Sequence, residues 1–308
     1  MKDTLARSIS QAGDFRALAC DTTGIVNTVR KRHDLGPTAT AALGRALTGA
    51  ILLAALLKDD QQVQLIFEGN GPLKKVVAQA CHAGWCRGYV RSPRADVPLK
   101  NGNIDVARGI GLAGFLSVIK DIGMQEKYTG TVQLYDSEVA GDIAYYLTES
   151  EQTPSTISLG ITLQPDGNIS AAGGYLIQTL PPADQDLLDS LEENAMSLQP
   201  LTTLLNEGHG PMDILEKLFS TIPHKKLSTT PLSFHCLCSR EKMYGVLNSL
   251  GLEDLDSLYS QKNGVEINCN TSMGRCSEFQ GTQQKAKLLL CLLLANGQNL
   301  EHLSLQFF

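Results

Sequence analysis

"STISLGITLQPDGNISAAGGYLIQTLP" occupies residues 155–181. Two apolar, β-branched runs flank the tetrad PDGN at 165–168. That pattern predicts a β-hairpin, because Pro, Asp, Gly and Asn supply the backbone angles a tight reversal needs. Working upstream, "VAGDIAYYLTESEQTP" at 139–154 predicts a helix that stops before Pro154, and "EKYTGTVQLYDSE" at 126–138 predicts a strand. "QQVQLIFEGNGPLKKVVAQACHAGWCRGYVRSP" at 61–93 reads as three strands separated by a Gly-Pro turn and a second turn. Pro37 opens the Ala- and Leu-rich stretch "TATAALGRALTGAILLAALLKDD", which favours a helix through about residue 58. Its small residues, Gly44 and Gly49 among them, suit close packing against a sheet. "FRALACDTTGIVNTVR" at 15–30 reads as strand, turn and second strand around DTTG. Residues 1–180 are therefore expected to form one α+β domain built on antiparallel pairing.

Downstream the pattern changes. "PPADQDLLDSLEENAMSLQPLTTLLNEG" at 181–208 places Leu187, Leu188, Leu191 and Leu198 near helical spacing, and "PMDILEKLF" predicts a second helix after Gly210. "STIPHKKLSTTP" at 220–231 has the composition of a linker. The organisation expected is thus a core domain over 1–180, a helical linker region over 181–231, a small cysteine-rich domain over 232–280 and an atypical apolar tail over 281–308.

The chain has 308 residues, 43% of them hydrophobic and 19% charged, with a formal net charge of −6. That balance supports a sizeable core and speaks against a nucleic-acid partner, which calls for clustered Lys and Arg. The longest apolar runs, "ILLAALL" at 51–57 and "LLLCLLLA" at 288–295, fall far short of the ~20 residues of a membrane span. The opening "MKDTLARSISQAGDF" has no apolar signal-peptide core, so a cytoplasmic protein is expected.

Two glycine patterns invite a nucleotide reading. "GIGLAG" at 109–114 has the dinucleotide-binding spacing, but "FLSVIKDIGM" after it is short and β-branched, so a glycine-rich turn and strand is expected instead. "GRALTG" at 44–49 lacks the Lys and Ser or Thr of a phosphate loop and reads as helix packing. The six histidines are scattered, and no nucleophile–base pattern is found. An enzyme is not expected.

The remaining signal is thiol chemistry. Cys20, Cys81 and Cys86 lack metal-like spacing and read as buried thiols. "FHCLCSREK" at 234–242 and "EINCNTSMGRCSEF" at 266–279 bring Cys236, Cys238, Cys269 and Cys276 within one short region. In a reducing compartment such a set points to a metal or redox centre rather than structural disulfides. Four thiolates suit tetrahedral zinc, although C-x-C is tighter than the usual pair and Cys269 to Cys276 is looser. Unliganded thiols are the other reading. A unit of about fifty residues rarely stands on its own core. With zinc bound, the metal supplies most of its folding free energy, roughly 10–16 kcal/mol in zinc-finger peptides. Oxidation of the thiolates would remove the ligands and unfold the domain, and the linker would then uncover apolar surface. A thiol-disulfide oxidoreductase using Cys236 and Cys238 is a competing reading, but it needs a thioredoxin-like context that is not seen. A zinc-ribbon adaptor for nucleic acid would need a basic face, and the last domain has none.

The chain resembles the 33 kDa chaperonin family of redox-regulated heat-shock chaperones over nearly all of residues 10–270. The likeness rests on "TATAALGRALTGAILLAALLK" at 38–58, "GNGPLKKVVAQA" at 69–80, "RGYVRSP" at 87–93, "SEQTPS" at 150–155, "GGYLIQTLPPAD" at 173–184 and "FHCLCSREK". The resemblance implies an ATP-independent holdase, inactive when reduced and zinc-bound. It also implies that oxidation forms two disulfides and releases zinc, and that the chain then dimerises and binds unfolding proteins. Carried over, Cys236 and Cys238 are zinc ligands that pair with each other when oxidised, and Cys269 begins the second pair. The family pattern places the fourth ligand at 272, where this chain has Ser272, a poor zinc ligand. Three outcomes are open: Cys276 replaces that ligand, water or His235 completes a three-thiolate site, or the site is broken and the chaperone is unregulated. From about 270 onward the likeness fades, and the apolar tail "KAKLLLCLLLANGQNLEHLSLQFF" reads either as divergence or as a reading-frame change.

Overall fold

The computed structural model of the chain describes residues 3–180 and 185–236. The chain starts with an antiparallel pair, β1 (Thr4–Ser10) and β2 (Phe15–Asp21). The second strand expected after DTTG is instead a helix, α1 (Thr23–His33). Its first turn is capped from two directions. The Asp21 carboxylate accepts the Thr23 N–H and hydroxyl at 2.9 and 2.7 Å. The Asp3 carboxylate, far away in sequence, accepts the Gly24 N–H at 2.9 Å and also the Ile25 N–H. Capping of these otherwise orphaned donors makes DTTG a helix start rather than a hairpin turn. Ile25, Val26 and Val29 then bury one face.

Helix α2 (Pro37–Ala54) begins with Pro in its first turn, as expected, and ends a turn earlier than expected. Sixteen of its eighteen residues are buried, because strands of two sheets pack against it. Small residues permit the close approach: a Cβ on Gly44 would lie 2.8 Å from Ile161 Cδ1, and one on Gly49 would lie 2.5 Å from Ile143 Cδ1. The three strands expected over 61–93 are present as β3 (Gln62–Gly69), β4 (Lys75–Cys81) and β5 (Trp85–Val90). A short helix α3 (Val106–Ile110), strands β6 (Gly114–Asp121) and β7 (Tyr128–Gln133), and helix α4 (Ala140–Glu149) follow.

The hairpin predicted around PDGN is β8 (Ser155–Leu163) and β9 (Ile169–Thr179). Helices α5 (Gln185–Ser197), α6 (Leu201–Asn206) and α7 (Pro211–Leu218) come next. The stretch read as linker, 220–231, contains a further strand, β10 (His224–Pro231), paired antiparallel with β1. Its residues are nearly all polar and exposed. An edge strand needs only the backbone ladder, so composition alone gives it no signature. A two-residue strand, β11 (Ser233–Phe234), ends the described chain.

One sheet has the order β10-β1-β2-β9-β8 and the other β11-β5-β4-β3-β6-β7. Every pairing is antiparallel except β11 with β5. The main core, centred on α2, lies between the sheets. The GIGLAG glycines hold two loops backbone to backbone. Gly71 N–H donates to Ile110 O at 2.8 Å, Leu73 N–H to Gly109 O at 3.0 Å, and a Cβ on Gly111 would fall 2.2 Å from Asn70 Oδ1. These glycines serve packing and the strand expected after them is β6, but Gly109 stands in α3 where a turn was expected.

Candidate functional site: a covered apolar sheet face and the path to Cys236

Side chains alternate across a strand, so β1, β2 and β9 each present a second set of residues away from α2. On that outer face lie Ala6, Phe15, Ala17, Ala19, Ala171, Tyr175 and Ile177, all buried. Their cover is the linker helices. Leu191 of α5, Leu201, Leu204 and Leu205 of α6, and Ile214, Leu215 and Leu218 of α7 pack on the face together with Phe219 and Ile222. The amphipathic linker therefore covers the first domain. Glycines bring α6 close: a Cβ on Gly160 would lie 2.7 Å from Thr202 Cγ2, and one on Gly173 would lie 2.8 Å from Leu205 Cδ1.

Polar ties fasten this cover at its ends. Asn194 Nδ2 donates to Leu218 O at 3.0 Å and to Thr221 Oγ1 at 2.9 Å, joining α5 to the end of α7. The Asp213 carboxylate accepts the Gly210 N–H at 2.7 Å and caps α7. Lys226 of β10 pairs with Glu216 of α7, and the His224 ring stacks on Phe219 at 5.0 Å. On β1, Arg7 Nη1 donates to Thr230 Oγ1 at 2.7 Å.

From β10 the chain crosses to the other sheet. Leu232 N–H donates to Asp3 O at 2.9 Å, Ser233 N–H to Gly84 O at 3.0 Å, and His235 N–H to Cys86 O at 2.9 Å. Gly84 has φ +94°, and a Cβ there would meet Pro231 O at 2.5 Å, so this crossing requires glycine. The Phe234 ring sits under the Arg32 guanidinium at 5.2 Å and edge-on to His33 at 6.3 Å. Two residues later stands Cys236, half-buried. Of the four clustered cysteines, the described residues include only Cys236; Cys238, Cys269 and Cys276 lie outside them. Among the described residues no cluster of three metal-capable side chains is found.

Cys20, Cys81 and Cys86 are buried, as their spacing suggested. Burial pushes the Cys20 and Cys86 thiols well above the ordinary thiol range, away from the reactive thiolate. The sequence reading missed the crossing at Gly84 and the strand β10. The signal for the covered face was present, in β2 and β9 strands that are apolar on both sides. Among the described residues no helix is long and apolar enough to cross a membrane.

A model of the Hsp33 protein family matches residues 3–275. The chain is 54% identical over 269 residues to the 33 kDa chaperonin of Desulfotalea psychrophila, covering 87% of this chain and 92% of that one. It is 40% identical over 304 residues to the 33 kDa chaperonin of Pelobacter propionicus, covering 98% of this chain and 99% of that one, so that alignment extends into the tail beyond 275. The fold is similar to the crystal structure of the 33 kDa chaperonin of Thermotoga maritima, with a TM-score of 0.86, 30% sequence identity, and coverage of 97% of this chain and 100% of that one.

Proposed function

Because this chain belongs to the Hsp33 protein family, we propose that it is a redox-regulated, ATP-independent molecular chaperone: a holdase that binds unfolding proteins after its clustered cysteines are oxidised. The observation that carries this reading is the apolar outer face of the five-stranded sheet, covered by three short helices that precede the cysteine region in the chain. Helices of 13, 6 and 8 residues are too short to persist alone in water, so they hold their shape by docking on that face. Once they leave, Phe15, Tyr175 and Ile177 meet solvent amid small apolar neighbours, the kind of patch that takes non-native proteins.

The sensor is assigned to Cys236, Cys238, Cys269 and Cys276. Four thiolates form a donor set suited to zinc, which when bound holds the thiolates ionised and ties separate stretches of chain together. On oxidation, the thiolates of Cys236 and Cys238 would give two electrons to peroxide, which takes two protons from solvent, leaving one disulfide and two waters. Cys269 pairs with Cys276 in the same way. The strain of that change reaches the cover through β11 and β10, which lie directly between Cys236 and α7. The chaperone is placed in the cytoplasm, dimerises when oxidised, and has neither nucleic acid nor membrane as a partner.

The test measures zinc per chain with a chromophoric chelator and suppression of aggregation of a heat-unfolded protein, each before and after peroxide. About one zinc held when reduced and freed on oxidation, with suppression only afterwards, is the expected result. Suppression that is equal in both states would sink the regulation, and none in either state would sink the chaperone reading.

A further inference from the structure

The five-stranded sheet ends in two edges of opposite character. At one end β10 carries His224, Lys225, Lys226 and Pro231. Charges and proline are the standard means by which a protein keeps foreign strands from pairing with an edge. At the other end, β8 reads STISLGITL, nine residues without a charge or a proline. Among the described residues, only β9 pairs with it, and no backbone hydrogen bond reaches its other side. None of its nine residues is buried, whereas β9 beside it is buried along nearly its whole length.

The surroundings of this edge are built for a strand. On one side of the sheet, Ile157, Leu159 and Ile161 lean on the core beneath and on the neighbouring α4, still partly exposed. On the other, Gly160 carries no side chain and faces Thr202 of α6. A strand laid beside β8 would thus place alternate side chains against an isoleucine–leucine row while its backbone meets the free N–H and C=O groups. Such pairing reads the main chain and only loosely the side chains.

We propose that the free edge of β8 is a strand-addition site for extended, uncharged, β-prone segments of unfolding polypeptides. It would complement the outer sheet face, which takes apolar side chains, by taking backbone. The proposal rests on the chaperone reading above for its occupant. The bare backbone groups and the uncharged, apolar-and-threonine edge fit an extended neutral segment that has lost its own pairing partners. The two edges also differ in sequence in the way expected if one is kept closed and the other open.

The test uses the full chain, reduced and oxidised, and two fluorescent nine-residue peptides of alternating Val and Thr with blocked ends. In one peptide every amide is N-methylated, which removes the donors of both edges but keeps the side chains. Binding is read by anisotropy. The unmethylated peptide is expected to bind at least about tenfold more tightly than the methylated one. Thr156→Lys, at the one exposed position of β8, is expected to remove most of that difference. Leu99→Lys, the same charge change at an exposed loop residue, is expected to leave it intact. Equal binding of the two peptides overturns the proposal, since docking would then be by side chains alone. Concentration-dependent dimers that exclude the peptide and are lost in T156K also overturn it, in favour of β8 pairing with a second copy. Aggregation suppression measured in parallel separates the two readings. A chain that suppresses aggregation yet ignores methylation keeps the chaperone function and loses this site.

Discussion

Leu215→Ala tests whether the cover on the sheet hides the proposed client surface. Leu215 is fully buried in α7 between the sheet face and its neighbours Ile214 and Leu218. Truncating a leucine at such a position costs about 3 kcal/mol, from lost apolar burial plus the cavity left behind. α7 is eight residues long and cannot hold itself together, so the cost falls on docking rather than on the main core around α2. A cover held closed by about 4 kcal/mol is open in about one molecule in a thousand. After the loss of 3 kcal/mol, about one molecule in six is open.

The assay has two readouts on the reduced protein. Amide hydrogen exchange at Leu215 and Leu218 should accelerate by about a hundredfold, while amides of β3 and β4 in the main core keep their protection. Suppression of aggregation of a heat-unfolded protein should appear without any oxidant. If exchange in α7 rises as expected and the reduced variant still binds nothing, the face beneath the helices is not the client surface. If protection in β3 and β4 falls in step with α7, the cover is not a separable unit.

Other expectations follow from single residues. Gly84→Ala should lower stability by about 2 kcal/mol or more, since Gly84 has φ +94° and its Cβ would meet Pro231 O at 2.5 Å; thermal melting reads this. Cys20 and Cys86, fully buried with thiols pushed up by desolvation, should resist iodoacetamide at pH 8 in the folded chain and react only in denaturant, as peptide mass mapping will show. Asp142 has its carboxyl raised above 3.8, first by burial, against the pull of the Tyr135 and Ser137 N–H groups it accepts. A raised acid favours the folded state most below the unfolded value and loses that contribution as pH rises through the folded one. The stability of the parent relative to Asp142→Asn should therefore decline as pH rises from below 3.8, as denaturant titrations at a series of pH values will show. If Cys276 serves as the fourth zinc ligand, Cys276→Ser should lower zinc per reduced chain at least about tenfold at limiting metal, and adding Ser272→Cys should restore it.

Much of this architecture was legible because its signals are local. Pro37 and the alanine-leucine run specify α2, and PDGN specifies the β8–β9 hairpin, from residues adjacent in the chain. The misreading of 22–30 has the opposite cause. The cap that starts α1 comes partly from Asp3, and no window around DTTG contains it. β10 escaped notice because its side chains are polar and exposed and its backbone ladder runs to β1, more than two hundred residues away. The cysteine quartet was visible as spacing alone. Of its members the described residues include only Cys236, so its proposed chemistry rests on donor types and on the family.

The two faces of the five-stranded sheet also differ in a way that decides which one can be released. The face toward α2 packs into a core closed by the second sheet, so α2 has protein on both sides and cannot leave without opening the whole molecule. The outer face is made largely of Ala6, Ala17, Ala19 and Ala171, and each buries little area when α5–α7 dock. At about 25 cal/mol per Å², small residues give a weaker hold per residue than the leucines of α2. The cover is therefore expected to yield before the α2 core. Its connection to the proposed sensor is weaker still: β11 contributes two residues to its sheet, and β10 has no buried side chain. A disturbance at Cys236 has to break the crossing at Gly84, the β10 ladder and the Lys226–Glu216 and His224–Phe219 ties before it frees α7. Two steps of unfolding should follow on oxidation, with β10 and α5–α7 lost together at low denaturant and the α2 core at high denaturant. A single transition in the oxidised protein, coincident by far-ultraviolet circular dichroism and by exchange at β3, would show that the cover and the core are one cooperative unit.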